Sequence, residues 1–264
     1  MFNMLRSLWQ YRHFVLSSIR NELISRFASS KLGGLWMIIN PLAQVAIYAL
    51  ILSNVLSAKL PGIDNKYAYA IYLMAGLLAW NLFSEIVSRC LNLFVEQGNL
   101  MKKMSFPRIA LPTIVTGSCI LNNILLFIAM LGIFALLGHQ FSATMLWLIP
   151  LTLVVLMLAL GLGLILGIMN VFVRDIGQGF PIILQVWFWF TPIVYPENII
   201  PESYRGLLML NPMYPITSAY HKILVYNQSP DLIHIVSIFG VALALMLVSL
   251  FLFRRASAEM VDVL

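Results

Sequence analysis

The residues able to do chemistry in this chain are few, and their spacing argues against catalysis. The four histidines, His13, His139, His221 and His234, lie in separate regions, and no carboxylate pair accompanies them. No His/Glu pair has metalloprotease spacing, and no phosphate-cradling loop of the Gly-x-x-x-x-Gly-Lys-Ser/Thr kind is present. Cys90 and Cys119 fall inside apolar stretches, with neither metal-site spacing nor a disulfide pattern. We therefore assign no catalytic residue and no metal ligand. Glu85 and Arg89 stand inside an apolar segment. Four apart on a helix, they share a face and can pair. They read as a local ion pair, or as a gate or partner contact. Ion-coupled transporters place such groups near the bilayer midplane, whereas this pair lies towards one end of its segment. If the chain moves a cargo, the energy comes from elsewhere.

The elements that must position these residues are membrane helices. Hydrophobic residues make up 61% of the 264 positions and charged residues only 10%, against about 25% charged in soluble domains. From Ile109 to Val173, 65 residues pass without one Asp, Glu, Lys or Arg. Each span needs roughly 20 apolar residues, so this stretch holds two. Six spans are expected: Leu35–Leu56, Tyr67–Phe94, Ile109–Leu137, about Met145–Val173, Ile176–Tyr195 and Leu232–Phe253. Gly138, His139 and Gln140 make a turn. Backbone groups in lipid must be satisfied internally, and no alternating strand pattern is present, so the spans are helices. Gly161, Gly163 and Gly167 allow close helix approach.

Residues 4–27 read as an amphipathic helix. Leu5, Leu8, Trp9, Leu16, Ile19, Leu23 and Phe27 recur at helical spacing, with Arg6, Arg12, Arg20, Glu22 and Arg26 between them. This suits a helix in the membrane surface, with Arg towards phosphate head groups, or a helix packed on a partner. The first 30 residues lack the apolar core and cleavage site of a signal peptide, so they are expected to be retained. The chain divides into this interface helix, 1–30, and a six-span domain, 31–264.

With the N-terminus inside, twelve Lys and Arg fall on the cytoplasmic side and four outside, namely Lys59, Lys66, Arg205 and Lys222. This positive-inside bias puts both termini in the cytoplasm. The net charge of +6 follows from basic span ends and anionic lipid, with no nucleic-acid role implied. The outer segment Pro196–Asp231 carries short apolar pieces broken by Pro201, Pro212 and Pro215. These read as re-entrant or surface helices, or as an ordinary loop. The inner loop Glu96–Pro112 offers a short helix at Asn99–Met104. Its Lys102 and Lys103 are either topology determinants or, with Met101, Met104 and Phe106, part of a docking knob for a soluble subunit.

That loop resembles the coupling-helix region of polysaccharide-exporting ABC transporter permeases of the type-2 exporter class, which serve O-antigen, capsule and teichoic-acid export. Four further stretches fit in order. Arg26-Phe27, Ser30, Leu32-Gly33, Leu35-Trp36 and Pro41 resemble the family's approach to its first span. Asn170–Asp175 resembles the turn after the fourth span. Trp187–Pro196 resembles the end of the fifth, and Leu210-Asn211-Pro212-Met213 the start of outer gate helices. The resemblance implies an all-α polytopic membrane protein of the bacterial inner membrane, acting as a half-transporter. Two copies would form a channel, and two copies of a separate cytoplasmic ABC ATPase would dock below. That ATPase would bind ATP and Mg, with no cofactor in this chain. The docking residues would be Glu96, Asn99, Lys102, Lys103, Ser105, Phe106, Pro107 and Arg108, with Arg174 and Asp175 either joining them or only ending the fourth span.

The implied cargo is a glycan on a polyprenyl diphosphate, of O-antigen type on undecaprenyl diphosphate. Teichoic-acid, capsule or small-molecule export and a membrane glycan-modifying enzyme stand as alternatives. Arg20 and Arg26 would meet the carrier's diphosphate at a lateral entrance, or simply bind head groups. Sugar C–H faces stack on aromatic rings, so Trp36, Tyr48, Trp80, Phe83, Trp187, Phe190 and Tyr195 are the expected channel wall, against the plain interfacial belt of membrane proteins.

Overall fold

The structure, a computed structural model, describes residues 9–28, 68–103, 107–136, 142–257 and 259–263, with isolated positions between 32 and 43. Among the described residues the regular elements are all helical. They are α1 (Arg12–Ala28), α2 (Ala68–Glu96), α3 (Gly98–Lys103), α4 (Ala110–Leu136), α5 (Leu148–Phe172), α6 (Asp175–Phe190), α7 (Glu202–Leu208), α8 (Met213–Leu224), α9 (Leu232–Ala256) and α10 (Glu259–Val263). A 3-10 turn, Ala143–Trp147, leads into α5. Most of the expected first span, Leu35–Leu56, lies outside the described residues, as does the turn at Gly138–Gln140.

Local chemistry sets the helix ends. Pro112 falls in the first turn of α4, where a missing N–H costs little. The Asp231 carboxylate accepts from the Ile233 N–H at 3.1 Å and opens α9. Asp175 sits in the first turn of α6, where the helix dipole favours an acid.

Among the described residues, four helices are long and apolar enough to cross a membrane: α2, α4, α5 with its leading turn, and α9. The expected fifth span is shorter than the sequence suggests. α6 has 16 residues and reaches about 24 Å, less than the ~30 Å of a hydrocarbon core. It stops at Phe190 because Thr191 turns extended and Pro192 cannot continue the helix. The chain then runs irregularly through buried Thr191 and Ile193 to α7 and α8. Irregular backbone at this depth is tolerated when protein covers it and its polar groups are paired. Here the Tyr69 hydroxyl donates to Val194 O at 2.5 Å, and the Tyr72 hydroxyl lies 3.2 Å from both Pro192 O and Tyr195 O.

α2 is the centre of the fold. It packs along α5, on α4 and on α8, while α9 packs on the far side of α5. The α5 glycines make this contact as expected. A Cβ on Gly163 would stand 2.8 Å from the Cys90 Cβ, and one on Gly167 would press into the Cys90 carbonyl oxygen. Gly161 meets the backbone of Leu245 and Met246 on α9 in the same way.

Candidate functional site

Three groups of candidate residues lie along the bundle. At one end, α2 runs through Gln97 into α3, and the Met101 N–H bonds Gln97 O at 3.0 Å. Met101 is buried, which anchors α3, whereas Asn99 and Lys102 are exposed. Glu96 is also exposed. The side chain of Lys103 and all of Ser105 and Phe106 lie outside the described residues. Pro107 and Arg108 are half-buried, and Arg108 has a defined partner. Its guanidinium donates to the Ser257 carbonyl and, at 2.9 Å, to the Ser257 hydroxyl. This fixes the approach to α4 against the end of α9. α10 packs on α3 and α5, and its Met260 is fully buried. Arg174 and Asp175 are exposed at the α5–α6 turn. Neither α10 nor the Arg108–Ser257 bond was anticipated from sequence.

Above this end, α1 packs on α4 through Val15, Ile19, Ala110 and Ile114. Gly117 permits the approach, because a Cβ there would strike Ile19. The contact brings Glu22 to Arg89. Arg89 donates to the Glu22 carboxylate and, at 2.7 Å, to the Ser118 hydroxyl, which lies 3.1 Å from Glu22 Oε2. Glu85 is farther, 3.9 Å from Arg89, and accepts from Asn122 Nδ2 at 2.8 Å. The expected Glu85–Arg89 pair is therefore one edge of a larger network whose shortest link reaches the N-terminal helix. A cavity of about 580 Å³ opens beside it, lined in part by Ser18, Glu22, Arg89, Asn92 and Glu96. Arg20 is exposed on α1, and the Arg26 side chain lies outside the described residues. The signal missed was a lone acid, Glu22, among the arginines of an amphipathic helix.

Towards the other end the aromatic residues divide. Trp80 is 6% exposed and Phe83 0%. Their rings stack edgewise with Trp187 and Phe188 at centroid distances of 5.2–6.3 Å. Trp80 and Phe83 thus fill the chain's own core and present no open wall. Trp187 and Tyr195 are half-buried, while Phe190 is 68% exposed and Trp36 46%. Tyr48 lies outside the described residues. Asn211 organises this end. Its Oδ1 accepts from Trp187 Nε1 at 2.8 Å and from the Met213 N–H at 2.9 Å, and its Nδ2 donates to Phe190 O and Thr191 Oγ1. One side chain thereby satisfies a terminal carbonyl of α6 and an N-terminal amide of α8. On α8, His221 stacks on Tyr72 at 3.6 Å and 20°. Burial pulls its pKa down to about 3, opposed in part by a hydrogen bond to the Tyr72 backbone.

A buried central helix, a short anchored helix with exposed tips and, among the described residues, an apolar four-helix frame define an integral membrane protein. The sequence model for the ABC-2 type transporter family matches residues 14–225, and the chain belongs to that family. Membership makes it a transport component that works with an ABC ATPase. The chain is 29% identical to the O-antigen export system permease protein RfbA of Myxococcus xanthus, over 99% of both chains. It is 26% identical to the protein of that name from Klebsiella pneumoniae, over 92% of both. It is also 26% identical to the polysialic acid transport protein KpsM of Escherichia coli, over 73% of both.

Proposed function

We propose that this chain is the permease subunit of an ATP-driven exporter that moves an O-antigen-type polysaccharide, carried on undecaprenyl diphosphate, across the inner membrane. The observation that carries this reading is the end-to-end likeness to an O-antigen export permease. The chain crosses the membrane six times with both termini cytoplasmic, the first span lying within 35–56 and α6 serving as a short fifth. Two copies form the channel. The exposed stripe Ile182, Ile183, Val186, Trp189 and Phe190 on α6 supports a path or partner on that face. Two copies of a separate ATPase, which bind ATP and Mg, dock on α3 through Asn99 and Lys102. Arg20 and Arg26 receive the carrier diphosphate, and α7 and α8 form the outer gate. The likeness to KpsM, a polysialic acid transport protein, favours export of another kind of polysaccharide as a second reading.

The test is the lipid-linked glycan content of the inner membrane in a strain lacking the gene, with surface glycan measured alongside. Glycan trapped inside on its carrier, with none at the surface, is the expected result. Normal surface glycan with no trapped intermediate would remove the polysaccharide reading.

A further inference from the structure

A second large concavity borders the α1–α4 contact and shares no lining with the Arg89 network or the aromatic cluster. It has a volume of about 940 Å³ and is walled by α1, α4, α5 and α9, with Leu16, Ile19, Thr116, Leu160, Leu247 and Leu250 among its lining. Nothing from α6, α7 or α8 lines it, and neither do Trp80, Phe83 or Trp187. The hydroxyls of Thr113 and Thr116 are spent on Ile109 O and Pro112 O, at 2.8 and 2.7 Å. The wall is therefore apolar along its length. At one end stand Arg254 and Arg255, in the last turn of α9. Both are exposed, and among the described residues neither has an acidic partner. Their position is set by the Arg108–Ser257 bond one turn away, so the two guanidiniums are presented by a fixed helix end.

Three of the four walls belong to helices able to cross the membrane, so the occupant sits within the bilayer. An apolar groove closed at one end by two cations fits an anionic amphiphile. Guanidinium pairs phosphate oxygens in bidentate geometry, and acyl chains take the apolar length. We propose that this groove holds an anionic phospholipid of the leaflet that meets the Arg254–Arg255 end, with its phosphate on the two arginines. The site is separate from the carrier entrance proposed at Arg20 and Arg26, and it does not depend on what the transporter exports.

The test uses the full-length chain in nanodiscs of equimolar phosphatidylglycerol and phosphatidylcholine, with retained lipid counted by native mass spectrometry. The wild type should retain phosphatidylglycerol selectively. In R254Q/R255Q that selectivity should fall about tenfold. Leu250→Trp, which fills the groove and leaves both arginines, should reduce bound lipid of either kind. Equal retention of the two lipids by the wild type would overturn the proposal, as would unchanged selectivity in R254Q/R255Q. A photo-crosslinker at Leu250 that captures another segment of this chain would show the groove to be filled by protein. Displacement of phosphatidylglycerol by added polyprenyl diphosphate would assign it to the carrier. Either result defeats the phospholipid reading.

Discussion

Glu22 and Arg89 join carboxylate to guanidinium across 67 positions of sequence, and that contact holds α1 to the centre of the bundle. Both side chains are about three-quarters covered. Removal of either therefore leaves a charged group poorly solvated. Glu22→Ala should lower stability by about 1–2 kcal/mol, read as a fall in thermal midpoint of the purified chain. The exchange E22R/R89E should recover part of that loss. A double variant no better than the sum of the single changes would show that the two residues are not coupled.

The α2–α5 contact predicts a sharp contrast between glycines. Gly167→Ala pushes a methyl group into the Cys90 carbonyl and should cost about 1–3 kcal/mol through overpacking. Gly132→Ala meets nothing within 4 Å and should leave the midpoint and membrane abundance unchanged. Equal behaviour of the two would mean that α2 and α5 are not in close register.

The aromatic residues separate into packing and surface roles. Phe83→Ala empties a fully buried position and should cost about 3–5 kcal/mol, with loss of protein from the membrane. Trp187→Ala should also lower abundance, because Trp187 is packed on Phe83 and bonded to Asn211. Phe190→Ala should slow export at normal abundance if the exposed rings carry glycan. Full export by the Phe190 variant would take that residue out of the path.

His221 predicts an acid dependence. Its folded pKa is about 3, against ~6.5 when unfolded. Below pH 6.5 the unfolded chain gains a proton that the folded chain refuses until about pH 3. Its contribution is therefore whole above pH 6.5 and is lost as pH falls through that window. His221→Phe, which keeps the stack on Tyr72, should flatten this part of the midpoint-against-pH curve. An unchanged slope would assign the acid sensitivity to other groups.

For docking, cysteines at Asn99 and Lys102 should cross-link to the ATPase in membranes, while one at buried Met101 should not. Cross-linking from Met101 alone would mean that α3 turns its other face to the partner.

Helices were legible in the sequence where one property ran long. The uncharged stretch beginning at Ile109 contains α4 and α5, and the glycine spacing in α5 marked a close contact that exists. The short helix expected at Asn99–Met104 is α3, which begins one residue earlier. The end of α6 was misjudged because apolar residues continue past Phe190, and hydrophobicity alone does not register that Thr191-Pro192 ends a helix. The long-range polar links were not legible. Glu22, Ser118 and Asn122 are ordinary residues on separate helices, and only packing reveals that they surround Arg89. The burial of Trp80 and Phe83 was hidden for a related reason. Composition counts rings, but burial decides which of them a polymer would meet.

The burial of α2 bears on how the protein is made. It is the least apolar of the four candidate spans and the most enclosed, and it carries Glu85 and Arg89. Alone in lipid these two side chains would have only each other and Glu22 of α1, since Ser118 and Asn122 arrive with α4, and the facing glycines arrive later still with α5. Biogenesis therefore cannot finish one helix at a time. As it leaves the translocon, the central helix is held provisionally, and it becomes a stable resident of the bilayer only when helices synthesised after it close around it.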